Sequence, residues 1–259
     1  MKWTYHSEIE KYNCRYKYIN GELVEIMICS APIWSNIEPD DNGCQSGARK
    51  NVKAKECSNT LVQSNDCSKR SMNRAKKNLF DYVVSNPDMN LFVTLTLNAE
   101  KVDRYDYKQV IRKLNQWLDN RVRRNGLKYV LVPELHKDGA IHFHGFFNRV
   151  LKLSDSGLKH KNGNPVYNLP DWSLGFTTAI DTDENRERTA NYICKYVTKQ
   201  LENGKIGGRY YLHGGDLNTP EYSYGYMFPD EIEGEYSEFE IPDTNLKFRV
   251  WKPQRNTQS

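Results

Sequence analysis

The pattern of hydrophobic and polar positions predicts six β-strands. The first two form a hairpin over residues 12–30, because Asn20-Gly21 is a tight-turn signal between two β-prone runs. In the third strand, aliphatic residues alternate with Phe92, Thr94 and Thr96, as in a strand with one core-facing side and one polar side. The third to sixth predicted strands lie within residues 91–97, 128–135, 141–147 and 172–180.

A hydrophobic stripe with the period of an α-helix runs through three other segments, residues 71–85, 107–124 and 188–201. The second is the clearest, and Gly126 follows it as the expected C-terminal stop. Between these elements, Gly, Ser, Asn and Lys dominate in residues 36–69 and 154–168. This composition predicts a flexible loop in the first segment and a connecting loop in the second.

The strand pair around residues 128–147 brings metal-ligating residue types together. Successive strand residues point to opposite faces, so His142 and His144 share one face while Phe143 takes the other. A turn over residues 137–139 makes the two strands a hairpin, and antiparallel pairing then moves Glu134 towards both histidines. Two imidazoles and a carboxylate can hold a divalent metal with open positions. His136 is an alternative ligand.

Charge and composition narrow the class of protein. Fourteen Lys and Arg against six Asp and Glu lie between Lys69 and Lys128, whereas residues 216–246 hold nine acids and no Lys or Arg. A basic region of this kind is compatible with a nucleic-acid substrate. No apolar run approaches the ~20 residues of a membrane span, and no signal-peptide core is present, so we expect a cytoplasmic protein without a membrane partner. The six cysteines are irregularly spaced and predict free thiols.

The predicted helix over residues 188–201 carries two tyrosines outside the apolar stripe that faces the core. Ala190, Ile193 and Val197 supply an apolar stripe, and Tyr192 and Tyr196 lie on roughly the opposite side with Lys195 and Lys199. Residues four apart on a helix are neighbours. A tyrosine hydroxyl has a pKa near ~10 and needs a nearby cation to react as a phenolate.

Three motifs in this order resemble those of the HUH endonucleases. They are the strand Phe92-Val-Thr-Leu-Thr96, then His142-Phe-His144, then Tyr192-x-x-Lys195-Tyr196. The chain looks most like the rolling-circle replication initiator (Rep) proteins of bacterial phages, plasmids and integrative elements. The resemblance covers about residues 70–215 and includes the later segment Gly208-Arg-Tyr-Tyr211.

The resemblance implies a reaction and a set of roles. The enzyme would nick single-stranded DNA at a replication origin through a covalent 5′-phosphotyrosine and later reseal it. Glu134, His142 and His144 would bind Mg²⁺ or Mn²⁺, Tyr192 would attack, and Lys195 would stabilise the phenolate or a phosphate oxygen. Tyr196 would be a second nucleophile or, alternatively, a DNA-stacking or structural residue. The residues expected to contact DNA are Thr94, Thr96, Lys199 and Arg209.

The implied fold is α+β, with a central antiparallel sheet that carries the histidines and is flanked by helices. We expect an N-terminal hairpin extension (1–35), a flexible loop (36–69), the catalytic domain (70–215) and an acidic C-terminal extension (216–259). The sequence contains no phosphate loop of the Gly-x-x-x-x-Gly-Lys-Ser/Thr type. Unwinding would therefore need a host helicase or supercoiling, and synthesis a host polymerase.

Other functions remain open at this point. A transposase or relaxase of the same superfamily would share the chemistry. A metallohydrolase would need further His, Lys or Asp ligands at later strand ends, and only His160 and His213 remain there, both in Gly/Asn-rich loops. A non-catalytic nucleic-acid-binding protein would use its basic helices and many tyrosines to contact phosphates and bases.

Overall fold

Two antiparallel sheets contain most of the strands. The computed structural model describes residues 11–35, 61–161, 163–182, 185–203, 206, 209–242 and 244–253. The chain divides into a central unit, residues 60–219, and a terminal unit formed by residues 1–59 with 220–259. In chain order the elements are β1 (Lys11–Tyr12), β2 (Cys14–Ile19), β3 (Glu22–Cys29), β4 (Trp34–Ser35), α1 (Leu61–Ser85), β5 (Leu91–Leu97), α2 (Tyr107–Asn125), β6 (Tyr129–Leu135), β7 (Ile141–Phe147), β8 (Ser154–Lys159), β9 (Pro165–Asn168), β10 (Gly175–Asp181), α3 (Arg186–Asn203), β11 (Leu212–Gly214), β12 (Glu221–Gly225), β13 (Tyr236–Glu240) and β14 (Lys247–Trp251), with a short 3₁₀ helix over Pro229–Glu231.

The central unit is built on a seven-stranded antiparallel sheet with the order β11-β6-β7-β5-β10-β9-β8. The unit has the expected α+β architecture, in which helices flank a sheet that carries the His-x-His pair. Every second residue of β5, from Leu91 to Leu97, is buried, and the three between them are half-buried. This alternation confirms the strand and its phase.

One face of this sheet is covered by α2. Asp106 begins that helix by accepting hydrogen bonds from the backbone N–H groups of Lys108 and Gln109, and Gly126 ends it at φ 70°. A left-handed residue of this kind favours glycine, which is why the helix stops there. The buried core on this face combines residues from β5, β6 and β7 with Val110, Leu114, Trp117 and Leu118 of α2.

The opposite face, which carries His142 and His144, is covered by α1 and α3. These two helices pack against each other, and α3 also contacts β6 and β7. Ala190, Ile193 and Val197 of α3 are fully buried, as the predicted apolar stripe requires. The tyrosine helix and the histidine strand therefore meet on one side of the sheet.

The terminal unit joins the two ends of the chain in one sheet. Its five strands have the order β12-β2-β3-β14-β13. The predicted hairpin is present as β2 and β3, and β14 pairs with β3 while β12 pairs with β2. One face of this sheet carries a small core of Cys14, Tyr16, Ile26, Ile28 and Trp251. The sequence pattern predicted two separate extensions for these segments, because strand pairing between distant segments leaves no local signal.

Two other segments differ from the sequence-based expectation. Helix α1 begins at Leu61, so the end of the predicted 36–69 loop is helical; residues 36–60 lie outside the described part of the chain. Polar residues at the start of a helix do not prevent it from forming when residues further along the same helix pack against the core. Residues 154–168 form the β8–β9 hairpin rather than a loop, and β9 pairs with β10. Most of its residues are exposed at the sheet edge, so the segment lacks the apolar alternation of a buried strand.

Two further observations concern the cysteines and the helices of the described residues. The described cysteines Cys14, Cys29 and Cys194 are free thiols. Among the helices described above, none is long and apolar enough to cross a membrane.

Candidate metal and tyrosine site

The strand register places the three predicted ligands side by side. His142 of β7 lies opposite Glu134 of β6 and opposite Thr96 of β5, while His144 lies opposite Thr94. Directly opposed residues of antiparallel strands point to the same face. Glu134, His142 and His144 therefore converge from two neighbouring strands of the sheet.

The ligand atoms of this cluster are close enough to share one ion. Glu134 Oε2 lies 3.0 Å from His142 Nε2 and 2.9 Å from His144 Nε2, and the two Nε2 atoms are 3.2 Å apart. Metal–ligand bonds of ~2.1 Å at right angles place neighbouring ligand atoms about 3.0 Å apart. The three residues thus form a candidate metal-binding triad. His136 stays outside it, although its ring lies 3.8 Å from that of His142.

Burial and neighbouring charges shift the pKa values of the three triad residues towards the protonation states that bind a metal. Burial lowers the pKa of His144 to about 4, with help from neighbouring His142, and burial also lowers the pKa of His142. Burial opposes ionisation of Glu134, but hydrogen bonds from Lys199 and His142 outweigh it and hold its pKa below the ordinary value. At neutral pH the site therefore presents two neutral imidazoles and one carboxylate, the protonation states that metal ligands need.

Thr94 sets the orientation of His144. Its Oγ1 lies 3.0 Å from His144 Nδ1. When Nδ1 donates its proton to this oxygen, Nε2 is left with a free lone pair that points into the triad. His142 has no such support: its Nδ1 is buried and has no hydrogen-bond partner within the described part of the chain.

The two tyrosines of α3 lie at the same face as the triad. Tyr192 is 46% exposed, and its hydroxyl lies 3.0 Å from that of Tyr196. The half-buried Tyr196 ring stacks on His144, with 4.3 Å between ring centroids. Burial raises the pKa of Tyr196, and its hydrogen bond with Tyr192 adds to the effect. The phenols therefore form a pair, in which Tyr196 contacts the triad and Tyr192 is the more exposed member.

Each tyrosine has its own lysine three residues later. Lys195 Nζ lies 5.9 Å from the Tyr192 ring centroid, and Lys199 Nζ lies 5.0 Å from that of Tyr196. Lys199 also forms an ion pair with Glu134, at 2.6 Å from Oε1. Sequence reasoning placed Lys199 among the DNA contacts and missed this link to the triad. The repeated Tyr-x-x-Lys spacing indicates that each lysine pairs with its tyrosine, but no local signal indicates the link from Lys199 to Glu134.

Phe92 is a further residue of the site that sequence reasoning did not assign. Its ring lies 6.0 Å from His144, 5.4 Å from Tyr192 and 6.4 Å from Tyr196. It thus touches the histidine strand and the tyrosine helix together. Its position on the same strand face as Thr94 was the available signal.

The other two predicted DNA contacts line cavities that no triad residue lines. Thr96 lines a separate cavity with Arg104, His136 and Phe176. Arg209 lines another cavity with Asn115 of α2 and Tyr129, residues that belong to the α2 side of the sheet. The structure therefore groups Thr94 and Lys199 with the triad and does not group Arg209 with it.

One family model matches the part of the chain that carries the site. Residues 90–201 match the model of the replication-associated protein ORF2 family. This segment runs from β5 through α3 and contains the triad, Phe92 and both tyrosines. The match supports a replication initiator. No curated protein and no solved structure matches the chain.

Proposed function

We propose that the chain is a site- and strand-specific single-stranded DNA endonuclease and ligase of the HUH type, which starts rolling-circle replication by nicking an origin. The observation that carries this proposal is the stacking of Tyr196 on His144, because it puts a pair of phenols against a metal-binding triad. The replication-associated family match supports the choice of DNA as substrate.

In this proposal Tyr192 is the first nucleophile. Its exposed hydroxyl attacks the scissile phosphorus, the bond to the 3′ oxygen breaks, and that oxygen leaves as a 3′-hydroxyl on taking a proton. The new phosphotyrosine bond keeps the phosphodiester energy, so a later 3′-hydroxyl can reverse the step and reseal the strand. Lys195 lies beside the Tyr192 ring and would stabilise the phenolate. Tyr196 and Lys199 repeat the same pairing and would serve a second transfer.

Glu134, His142 and His144 would hold Mg²⁺ or Mn²⁺, which would polarise the scissile phosphate as a Lewis acid. The convergent ligand atoms and the neutral histidines fit such an ion. Thr94 would keep His144 in the tautomer that leaves Nε2 free. Lys199 would keep Glu134 ionised and fixed in place.

The test is a nicking reaction on labelled single-stranded DNA from the replicon that encodes the chain, with Mn²⁺ or with EDTA. The products of wild type, Tyr192→Phe, Tyr196→Phe and the double variant are separated on a denaturing gel. We expect a protein–DNA adduct that needs the metal and disappears in the double variant, while Tyr236→Phe, a change at an exposed tyrosine of the terminal unit, behaves as wild type. DNA binding without an adduct, equal in Mn²⁺ and EDTA, would instead indicate a non-catalytic binding protein.

A further inference from the structure

A groove of about 730 Å³ opens beside Tyr192 in the central unit. Its walls are the ends of β5 and β10, the first turns of α3, and His160 at the tip of the β8–β9 hairpin. The volume falls within the ~300–1,000 Å³ typical of small-molecule sites. Neither metal binding by the triad nor nucleophilic attack by Tyr192 requires such a groove.

One side of the groove is apolar. Phe92 and Phe146 meet edge to face with ring centroids 5.3 Å apart, and Ile180 lies opposite Phe92 in the paired strand β10. The Tyr192 ring closes this side, 5.4 Å from Phe92. Aromatic side chains stack on nucleobases whatever the base, because every base has a π-face.

The other side of the groove is polar and carries cations. Arg188 and Lys195 are exposed on α3 and line the groove, together with Asn191 and the carboxylate of Glu187. The carboxylate of Asp181, which also lines it, is paired with Arg149. Arg188 and Lys195 therefore place two positive charges on the same helix as the Tyr192 hydroxyl, where a phosphate group can reach them.

We propose that this groove binds one nucleotide of single-stranded DNA beside the scissile phosphate, with its base against Phe92 and Ile180 and its phosphate on Arg188 and Lys195. The proposal rests on the proposed function for the role of Tyr192. Nucleotide binding in the groove requires neither a metal nor a covalent bond, so it is testable when neither is present.

The first test measures equilibrium binding in EDTA with the full chain carrying Tyr192→Phe and Tyr196→Phe. The probe is a fluorescent 20-nucleotide single-stranded pool, followed by anisotropy. Ile180→Glu and Arg188→Gln are each expected to weaken binding about fivefold or more, and Arg188→Gln to reduce the slope of log affinity against log salt by about 0.7. Gln116→Glu and Arg112→Gln are matched charge changes on exposed positions of α2 and should leave both quantities unchanged.

A second measurement needs no further substitution in the groove. The same protein is photo-crosslinked to the pool carrying 5-iododeoxyuridine, and the attached peptides are mapped by mass spectrometry. Crosslinks within residues 180–192 or at Phe92 support the groove. Crosslinks confined to other segments, with unchanged affinity in Ile180→Glu and Arg188→Gln, would overturn it.

The active enzyme separates this proposal from the proposed function. An abasic nucleotide next to the cleavage point should slow adduct formation in wild type and have a smaller effect in Ile180→Glu, because both changes remove the same contact. Equal abasic effects in the two proteins would overturn the groove while leaving the nicking reaction intact. Groove binding without any adduct would overturn the proposed function and leave the groove.

Discussion

The low pKa of His144 predicts that acid destabilises the metal-free protein in a defined pH window. Burial lowers this pKa from an ordinary value of 6.5 to about 4. Between these two values the unfolded chain binds a proton at His144 and the folded chain does not. The free energy of unfolding must therefore fall as the pH drops from about 6.5 to about 4, and it changes little from this source above the window.

The size of the effect follows from the same shift. One pKa unit corresponds to about 1.4 kcal/mol, so a shift of this size is worth roughly 3 kcal/mol at the acid end of the window. The His144 side chain is only 12% exposed, which leaves little solvent screening to reduce this figure. Glu134, whose pKa is also below its ordinary value, adds a loss of the same sign.

The assay is urea unfolding in EDTA at pH steps from 7.5 to 4, followed by far-UV circular dichroism. His144→Gln should show a shallower decline than wild type by roughly 3 kcal/mol. His160→Gln, a change at an exposed histidine, should decline as wild type does. Parallel pH profiles for wild type and His144→Gln would refute the reasoning, and an imidazole NMR titration of His144 near its ordinary pKa would refute it independently.

Three further changes test the support of the site. Thr94→Val should weaken Mn²⁺ binding, measured by calorimetry, about tenfold because His144 loses its orienting partner, whereas Thr96→Val on the same strand face should leave it near wild type. Gly145→Ala should lower the free energy of unfolding by about 2 kcal/mol or more, because a Cβ there would overlap the Val130 carbonyl oxygen; unchanged urea stability would contradict this close approach. Phe92→Ala should slow adduct formation about tenfold or more with Mn²⁺ affinity retained, since the Tyr192 ring loses its contact with β5; unchanged single-turnover rates would contradict a positioning role.

Local sequence signals were sufficient for the triad and the tyrosine pair. Side chains alternate along β7, so His142 and His144 share one face regardless of how the neighbouring strands pair. The turn before β7 fixes the register that brings Glu134 opposite His142. The period of the helix likewise separates Tyr192 and Tyr196 from the buried stripe of α3. Such features depend on residues close to one another in the chain and can be read from it.

Long-range pairing was beyond the same reasoning. The union of β3 with β14 joins the two ends of the chain, and no residue in either strand specifies its partner. The ion pair between Lys199 and Glu134 depends on how α3 lies against β6, which helical periodicity does not fix. The β8–β9 hairpin was missed for a different reason, because an exposed edge strand lacks an apolar alternation.

The most direct test of the central claim is the identity of the residue that becomes joined to DNA. Protein incubated with Mn²⁺ and labelled single-stranded origin DNA is digested with nuclease and trypsin, and the modified peptide is sequenced by mass spectrometry. The account predicts a 5′-phosphonucleotide on Tyr192, which moves to Tyr196 or disappears in Tyr192→Phe. Nicked DNA with a free 5′ end and no modified tyrosine, or a modified residue outside α3, would contradict it.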